Sequence, residues 1–216
     1  MLSILTNFGC HFGCSYCVYR DNKINIPFTH INTFGWAQLE EELKKHVGEE
    51  ISISGGGDPL YNYNNKEVKM FYSKLFLLLK KYNCKLELHT SIFNPYFPYE
   101  NCERVVFHFT MPNQIKMLYY RTSLVSLPDK VRVVYVVQEY YSKHLIQEIV
   151  KEVKESSTEI TELSFRQMIK ADGTIDYTLY DYLKEGHMKD WYYIEQNDYN
   201  EYFVQDHIEK EYLAIK

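Results

Sequence analysis

Residues 130 to 138 read KVRVVYVVQ, a nearly continuous run of β-branched and aromatic residues. A strand with one solvent-exposed face alternates apolar and polar positions, whereas a parallel strand covered on both faces is apolar almost throughout. The run therefore predicts a buried strand of a parallel sheet. Since parallel neighbours are joined by crossovers that are usually helices, the flanking chain should alternate strands with helices.

The rest of the chain follows that alternation. Five further strands are predicted: LSILTN (2–7), EISIS (50–54), KLELHT (85–90), RVVFHFT (104–110) and ITELSFRQM (160–168). Apolar residues at helical spacing predict helices over 36–47, 67–82 and 143–155. The order predicts an α/β fold, in which a curved parallel sheet forms a partial (β/α)6 barrel.

The pattern changes after the turn signal ADG at 171–173. We expect a core over 1–170 and a short accessory segment over 171–216 that belongs to the same domain and closes one end of the barrel. Residues 176–186 predict a short helix, and WYYIEQ-NDYN-EYFVQD (191–206) predicts a hairpin. The segment's aromatic residues favour core or rim packing over a stacking surface: Trp191, Tyr192, Tyr193, Tyr199, Tyr202 and Phe203.

Length and charge limit the class of protein. A chain of 216 residues suits one domain, and a net charge of -5 makes nucleic acid an unlikely partner. No stretch is long and apolar enough to span a bilayer, and the start MLSILTNFG lacks a basic region and a cleavage site. We therefore expect a cytoplasmic protein with reduced thiols and no membrane partner.

Three of the five cysteines lie in GCHFGCSYC (9–17), at Cys10, Cys14 and Cys17. A structural zinc site takes four protein ligands, and a disulfide framework takes an even number of cysteines in a secreted chain. Neither fits. A reducing compartment favours a metal or reactive role for these thiols, while Cys84 and Cys102 are expected to be packing residues.

The spacing Cys10-x3-Cys14-x2-Cys17, on a loop directly after a first strand, resembles the signature of the radical S-adenosylmethionine (radical SAM) superfamily. The resemblance implies that these thiolates hold three irons of a [4Fe-4S] cluster and leave the fourth iron to S-adenosylmethionine. It implies a one-electron donor such as flavodoxin or ferredoxin, and reductive cleavage to methionine and a 5'-deoxyadenosyl radical that abstracts hydrogen from a substrate. An open coordination position is typical of reactive metal sites.

Large apolar residues lie between the predicted ligands. Phe12 and Tyr16 suit shielding of a cluster from water, and the resemblance places Tyr16 near the adenine. Gly9 and Gly13 allow the backbone to wrap closely. His11 is interpreted as loop surface.

A second motif, SGGGDPL (54–60), resembles the family's Gly-Gly-Glu motif and reads here Gly56-Gly57-Asp58-Pro59. Asp stands where Glu is commoner. Either its carboxylate or the neighbouring carbonyls would accept hydrogen bonds from the methionine ammonium. Read without the resemblance, the string is a strand-to-helix turn.

Polar residues at later strand ends complete the predicted cofactor site, because the mouth of a βα barrel collects its ligands. Thr110 is expected to contact the ribose and Arg166 the methionine carboxylate; each could instead be a strand-end cap or a surface charge. The candidates are Thr90, Ser91, His108, Thr110, Gln138 and Arg166.

The sequence does not distinguish three classes of substrate: a small molecule, a nucleotide and a peptide. The short chain also resembles activating enzymes of anaerobic ribonucleotide reductase, which place a glycyl radical on a partner protein. It resembles 7-carboxy-7-deazaguanine synthase as well, although Val18, Tyr19 and Arg20 follow the third cysteine where that enzyme would carry a magnesium-binding hydroxyl or carboxylate. A non-enzymatic iron-sulfur or zinc protein is the alternative from another class.

Overall fold

The sheet's central strands run in sequence order. The computed structural model describes residues 1–10, 13–14, 16–26, 33–116, 118, 125–156, 160–170, 172–195 and 200–215. Its first six strands are β1 (Leu2–Thr6), β2 (Glu50–Gly55), β3 (Lys85–Thr90), β4 (Arg104–Phe109), β5 (Lys130–Val137) and β6 (Glu162–Ile169). Each pairs in parallel with the next. The α/β class and the parallel sheet are thus confirmed, with every strand end within about two residues of its prediction.

The α-helices whose two ends lie in the described residues are α1 (Val18–Asp21), α2 (Thr33–Lys45), α3 (Lys66–Lys81), α4 (Lys143–Ser156) and α5 (Tyr180–Glu185). Asn65 is the N-cap of helix α3, and its side chain accepts a hydrogen bond from the Glu67 N–H at 2.8 Å. The predicted C-terminal end of α2, at residue 47, lies beyond the observed end of the helix. The helix ends at Lys45, the chain turns through Gly48 at φ +81°, and Val47 is 58% exposed.

The predicted C-terminal hairpin was wrong. Strand β8 (Tyr192–Ile194) pairs in parallel with β6, whereas β9 (Glu201–Val204) pairs in parallel with β1. Two further strands are short: β7 (Ile175–Asp176) pairs with β6, and β10 (His207–Glu209) pairs with β9, both antiparallel. The segments expected to pair with each other instead satisfy the main-chain groups of the two outer parallel strands, which would otherwise be open edges.

The sheet has an apolar face against the helices. Side chains at partner positions of neighbouring strands point the same way, and on this face they are mostly aliphatic or aromatic, as at Ile4, Ile53 and Leu88. The same buried cluster includes Leu39 of α2 and Ile146 of α4. Burial of this face supplies the main hydrophobic driving force of the fold.

The opposite face carries polar and charged side chains, and we call it the polar face. The strand register aligns Ser3, Ser52, Glu87 and Arg104 across it, and His89, His108, Arg132, Glu162, Ser164 and Arg166 share the same side. At the β1 end this face is covered by a second apolar cluster that contains Leu5, Ile24, Ile26, Tyr202, Val204 and Ile215.

The tail aromatics mainly pack into the core, as expected. Trp191 is 4% exposed, and its indole N–H donates to the Leu183 carbonyl at 2.9 Å. Tyr193, Tyr202 and Phe203 are also buried, whereas Tyr192 is exposed and Tyr199 lies outside the described residues. Cys84 and Cys102 are buried and unpaired, in agreement with a packing role. No helix in the described part of the chain combines the length and apolarity needed to cross a bilayer.

Candidate functional site

The cysteine loop follows β1 at the carboxyl edge of the sheet. Cys10 is exposed, Cys14 and Cys17 are half-buried, and none of them forms a disulfide. Burial raises the pKa of Cys14, and the nearby Cys10 and Cys17 thiols raise it further. These three groups therefore lie close enough to repel one another as thiolates. Within the described residues, no three His, Cys, Asp or Glu side chains are arranged as a metal-binding group; Phe12 and His11 lie outside those residues.

The end of the loop is fixed by the short helix α1, which sequence analysis missed. Cys17 caps this helix, since its Sγ accepts a hydrogen bond from the Arg20 N–H at 3.5 Å. The Arg20 guanidinium donates back to the Cys14 carbonyl at 2.7 Å. A helix of four residues has no apolar periodicity to detect, so the only sequence signal was a thiol at a capping position.

The glycine motif packs directly against the cysteine loop. The Gly56 N–H donates to the Thr6 carbonyl and the Asp58 N–H to the Gly9 carbonyl, each at 2.9 Å. A Cβ on Gly57 would lie 2.3 Å from the Gly9 oxygen, which real Cβ atoms essentially never approach. The absence of a side chain at Gly57 therefore sets how closely the two loops approach each other.

Asp58 and Thr90 are brought together, but as an internal clamp. The buried Asp58 carboxylate accepts hydrogen bonds from the Leu60 N–H at 2.9 Å, the Thr90 hydroxyl at 2.6 Å and the Ser91 N–H at 2.6 Å. The carboxylate joins the loop after β2 to the end of β3. Both predicted cofactor side chains are thus engaged by the protein itself.

Main-chain carbonyls of the same motif remain as acceptors. The Pro59 carbonyl accepts from the Tyr72 hydroxyl at 2.8 Å, and the Gly55 carbonyl from the Tyr212 hydroxyl at 3.3 Å. The carbonyls of Gly56 and Gly57 accept no hydrogen bond from any described residue. The motif can therefore receive an ammonium group through its backbone rather than through Asp58.

Thr110 and Gln138 also meet, at the ends of β4 and β5. The Thr110 hydroxyl donates to Gln114 Oε1 at 3.1 Å, and its carbonyl accepts from Gln138 Nε2 at 3.3 Å and from the Tyr140 hydroxyl at 2.9 Å. Gln114 and Tyr140 were not predicted. Gln114 begins a short helical stretch and Tyr140 lies in a turn, and in neither place does a periodic signal mark a functional position.

Tyr16 links the cysteine loop to β6. Burial raises the pKa of Tyr16, Cys14 and Tyr140 raise it further, and the Arg166 charge opposes them. Burial lowers the pKa of Arg166, and Tyr16 is the foremost group opposing that shift. The Tyr16 hydroxyl is buried without a hydrogen-bond partner among the described residues. Buried polar atoms are normally satisfied, so this hydroxyl suits contact with a polar ligand.

A line of hydrogen bonds crosses the polar face from β4 to β3 and back. Arg104 lies 2.5 Å from Glu87 Oε2, Glu87 Oε1 lies 2.7 Å from His89 Nε2, and His89 Nδ1 lies 3.0 Å from His108 Nε2. Burial raises the pKa of Glu87, but His89 and Arg104 outweigh it and lower the pKa to about 2. Only His108 was singled out from the sequence. Glu87 and His89 are two positions apart on β3, and this spacing was the sequence signal that both side chains lie on the same face of the sheet.

Ion pairs also link Glu162 of β6 to arginines of β4 and β5 on this face. Arg132 Nε lies 2.5 Å from Glu162 Oε2, and Arg104 lies 3.7 Å from Glu162 Oε1. Burial lowers the pKa of His108, and electrostatic interactions with His89 and Arg166 lower it further. The polar face therefore presents a neutral imidazole near the carboxyl edge, with paired charges behind it.

Comparisons with known proteins identify no family. No protein-family model matches the chain, and no curated protein matches it. Among solved structures, the chain is similar to a crystal structure of BtrN in complex with AdoMet and 2-DOIA, with a TM-score of 0.36 and 15% sequence identity. The match covers 76% of this chain and 55% of that one, so the chain spans about half the length of BtrN. A similarity of this degree identifies neither fold nor function.

Proposed function

We propose that this chain is a radical SAM enzyme in which Cys10, Cys14 and Cys17 hold a [4Fe-4S] cluster with one iron left for S-adenosylmethionine. When bound, such a cluster supplies the electron that cleaves S-adenosylmethionine to methionine and a 5'-deoxyadenosyl radical, which takes hydrogen from a substrate. The electron itself comes from a donor such as flavodoxin or ferredoxin. The residues of this chain bind, orient and shield the reactants.

One observation carries the proposal: the Tyr16 hydroxyl is buried without a hydrogen-bond partner among the described residues, and it interacts electrostatically with Arg166 of β6. Main-chain hydrogen bonds also join the glycine motif to Gly9 of the cysteine loop and to Thr6 at the end of β1. Two motifs and a strand end thus converge at the carboxyl edge of a parallel sheet, where α/β proteins bind their ligands.

The donor set suits the cluster. None of the three thiols is in a disulfide, and the pKa of Cys14 is raised by burial and, after that, by repulsion from Cys10 and Cys17. Positively charged irons would relieve that repulsion, because thiolates are the usual ligands of iron-sulfur clusters. Binding requires the three sulfurs to converge further, since no described group of three already forms a metal-binding arrangement.

The nucleotide can be assigned residue by residue. The Arg166 guanidinium suits the methionine carboxylate, and the carbonyls of Gly56 and Gly57 suit its ammonium, because Asp58 is occupied by the internal clamp. Tyr16 suits the adenine. Thr110 was expected to meet the ribose, yet its hydroxyl already donates to Gln114, so the contact falls more readily to the adjoining Gln138.

We also propose that the sheet curves into a partial barrel that the tail closes. Along the strand order, β8 and β9 are separated by seven spacings of roughly 4.8 Å, about 34 Å if the sheet were flat. The chain from Ile194 to Glu201 spans at most about 25 Å when extended. The electrostatic contact of Arg166 on β6 with Tyr202 on β9 supports the same curvature.

Anaerobic reconstitution tests the function. Purified protein is incubated with iron and sulfide, reduced with dithionite, and given S-adenosylmethionine; we expect about four irons per chain, a spectroscopic change of the reduced cluster on addition, and 5'-deoxyadenosine as product. Cys14→Ala should lose the cluster, because a thiolate ligand is removed. Cys102→Ala, a buried cysteine away from the loop, is the matched control and should keep it.

Two results would overturn the proposal. One is a fully loaded cluster that yields no 5'-deoxyadenosine. The other is bound zinc, or a cluster that shows no response to S-adenosylmethionine, which would assign the loop to a non-enzymatic metal protein.

A further inference from the structure

The line of hydrogen bonds across the polar face has no part in the nucleotide assignment above. It runs from Arg104 through Glu87 and His89 to His108, with successive separations of 2.5, 2.7 and 3.0 Å. Glu87 is 4% exposed, whereas His89 and His108 are partly exposed. The line therefore begins at a buried ion pair and ends at a ring that ligands can reach.

The hydrogen-bond pattern determines which ring nitrogen carries each proton. Glu87 is ionised and only accepts hydrogen bonds, so His89 must donate from Nε2. When both rings are uncharged, His89 has a lone pair on Nδ1, which accepts the Nε2 proton of His108. Neutral His108 in turn has its remaining lone pair on Nδ1.

That lone pair has no partner in the part of the chain that the structure describes. No described residue makes a hydrogen bond to His108 Nδ1, and the ring is partly exposed on the polar face. His108 Nδ1 is accessible rather than buried, so it can accept a hydrogen bond from solvent or from a ligand. The arrangement resembles an oriented base: one ring nitrogen is held by a second histidine, which a carboxylate holds in turn.

We propose that His108 is the general base for a substrate that presents an O–H or N–H group to the polar face, and that His89 and Glu87 hold its tautomer and relay the proton. This inference rests on the proposed function for the placement of substrate on that face. The substrate class is accordingly a hydroxyl- or amine-bearing molecule rather than one with only C–H bonds.

The proton transfer balances without an oxidant. The O–H or N–H bond of the substrate breaks, its electron pair stays on oxygen or nitrogen, and the proton goes to His108 Nδ1. The Nε2 proton of His108 can pass to His89 Nδ1, while the Nε2–H of His89 stays hydrogen-bonded to the ionised Glu87, whose charge stabilises the protonated His89 ring. Reversal of these steps returns a proton to the product.

The charges around His108 keep it in the basic form near neutral pH. Burial lowers its pKa, interactions with His89, Arg166 and Arg132 lower it further, and Glu87 opposes them. The charged and titratable groups that face it or pair behind it come from four strands: Glu87 and His89 on β3, Arg104 on β4, Arg132 on β5, and Arg166 on β6. The ring is therefore able to accept a proton rather than already carrying one.

Two measurements on the full chain test the tautomer and the reactivity directly. In protein labelled with ¹⁵N-histidine, we expect the His108 signals of a neutral ring protonated at Nε2 and bare at Nδ1. Diethyl pyrocarbonate, which acylates only an unprotonated imidazole nitrogen, should modify His108 at pH 6 in a reaction mapped by mass spectrometry. The exposed His144 of α4 provides the matched site in both experiments.

Variants separate a base from a structural pair. His108→Gln should abolish the adduct at 108 while leaving His144 modified. Glu87→Gln removes the negative charge that favours protonation of the pair, so the pH at which His108 reacts at half its maximal rate should shift to lower values. Conservative substitution of His144 to Gln should leave that pH unchanged.

A His108 ring protonated at Nδ1, or one that resists the reagent while His144 reacts, would overturn the proposal. If the pH dependence of His108 modification were unchanged in Glu87→Gln, the proposed action of Glu87 on His108 through His89 would also be wrong. These readouts need neither cluster nor S-adenosylmethionine. If 5'-deoxyadenosine never forms but the tautomer and adduct are as expected, the proposed function fails and the base assignment stands.

Discussion

Replacement of Asp58 by Asn distinguishes a structural carboxylate from a cofactor ligand. The resemblance to the family motif predicts a contact with the ammonium of S-adenosylmethionine, which would affect binding and leave the cofactor-free protein unchanged. The structure predicts the opposite. Asp58 is 5% exposed and clamps the loop after β2 to the end of β3, so its loss should destabilise the free protein.

The size of the effect follows from the three hydrogen bonds. Oδ1 accepts from the Leu60 N–H and the Thr90 hydroxyl, and Oδ2 accepts from the Ser91 N–H. Asn has one acceptor oxygen, so in either orientation its amide NH₂ faces a backbone N–H. One bond to a charged group, of about 1.5–3 kcal/mol, is lost and the others weaken. We expect the free energy of unfolding to fall by about 2–4 kcal/mol.

Urea unfolding followed by circular dichroism measures this change, and the slope with denaturant should stay constant. For a chain of this size the midpoint of thermal unfolding should fall by roughly 4–16 °C. Asp172→Asn is the matched control. Asp172 Oδ1 alone accepts both bonds from Thr174, so Asn retains them and the free energy of unfolding should change by less than about 0.5 kcal/mol.

An Asp58→Asn protein as stable as wild type, but with weakened S-adenosylmethionine binding, would refute this reasoning. That result would mean that the carboxylate leaves its internal donors to contact the cofactor, and the carbonyls of Gly56 and Gly57 would no longer be needed as acceptors.

Two further predictions concern the loop contact and the polar face. Gly57→Ala places a methyl group 2.3 Å from the Gly9 oxygen, so it should displace the cysteine loop and lower iron incorporation at unchanged thiol content. Gly13→Ala is the control: no atom of a described residue lies within 4 Å of its Cβ, so this variant should incorporate iron like wild type. The pKa of Glu87 is lowered from 4.5 to about 2 in the folded protein, so its stabilisation is present above about pH 4.5 and is lost as pH falls toward 2. The gap in unfolding free energy between wild type and Glu87→Gln should narrow by about 3 kcal/mol over that range, as measured by urea titrations at stepped pH; a constant gap would contradict it.

Local patterns predicted the elements of the core well. Strand β5 is apolar on nearly every position because both of its faces are covered, and α3 shows its buried stripe at helical spacing because only one side meets the sheet. These are properties of a segment and its immediate environment. They can be derived from residue order alone.

The tail was mispredicted because strand pairing is not local. Two short strands flanking Asn-Asp-Tyr-Asn look like hairpin arms, yet β8 extends the sheet beside β6 and β9 extends it beside β1. Nothing in residues 191–206 records that the sheet offers two open edges to these strands. The choice depends on the positions of strands far away in sequence.

The same distinction between local and long-range information applies to the candidate site. Residue order by itself determined the parallel α/β core and the cysteine spacing that indicates a metal site, because periodicity and ligand spacing are carried by neighbours in the chain. Only the tertiary structure decided that Asp58 serves Thr90 and Ser91, that Tyr16 meets Arg166, and that Glu87, His89 and His108 form one line. Hydrogen bonds and electrostatic interactions depend on separations of a few ångströms, and between distant segments those separations exist only once the sheet has formed.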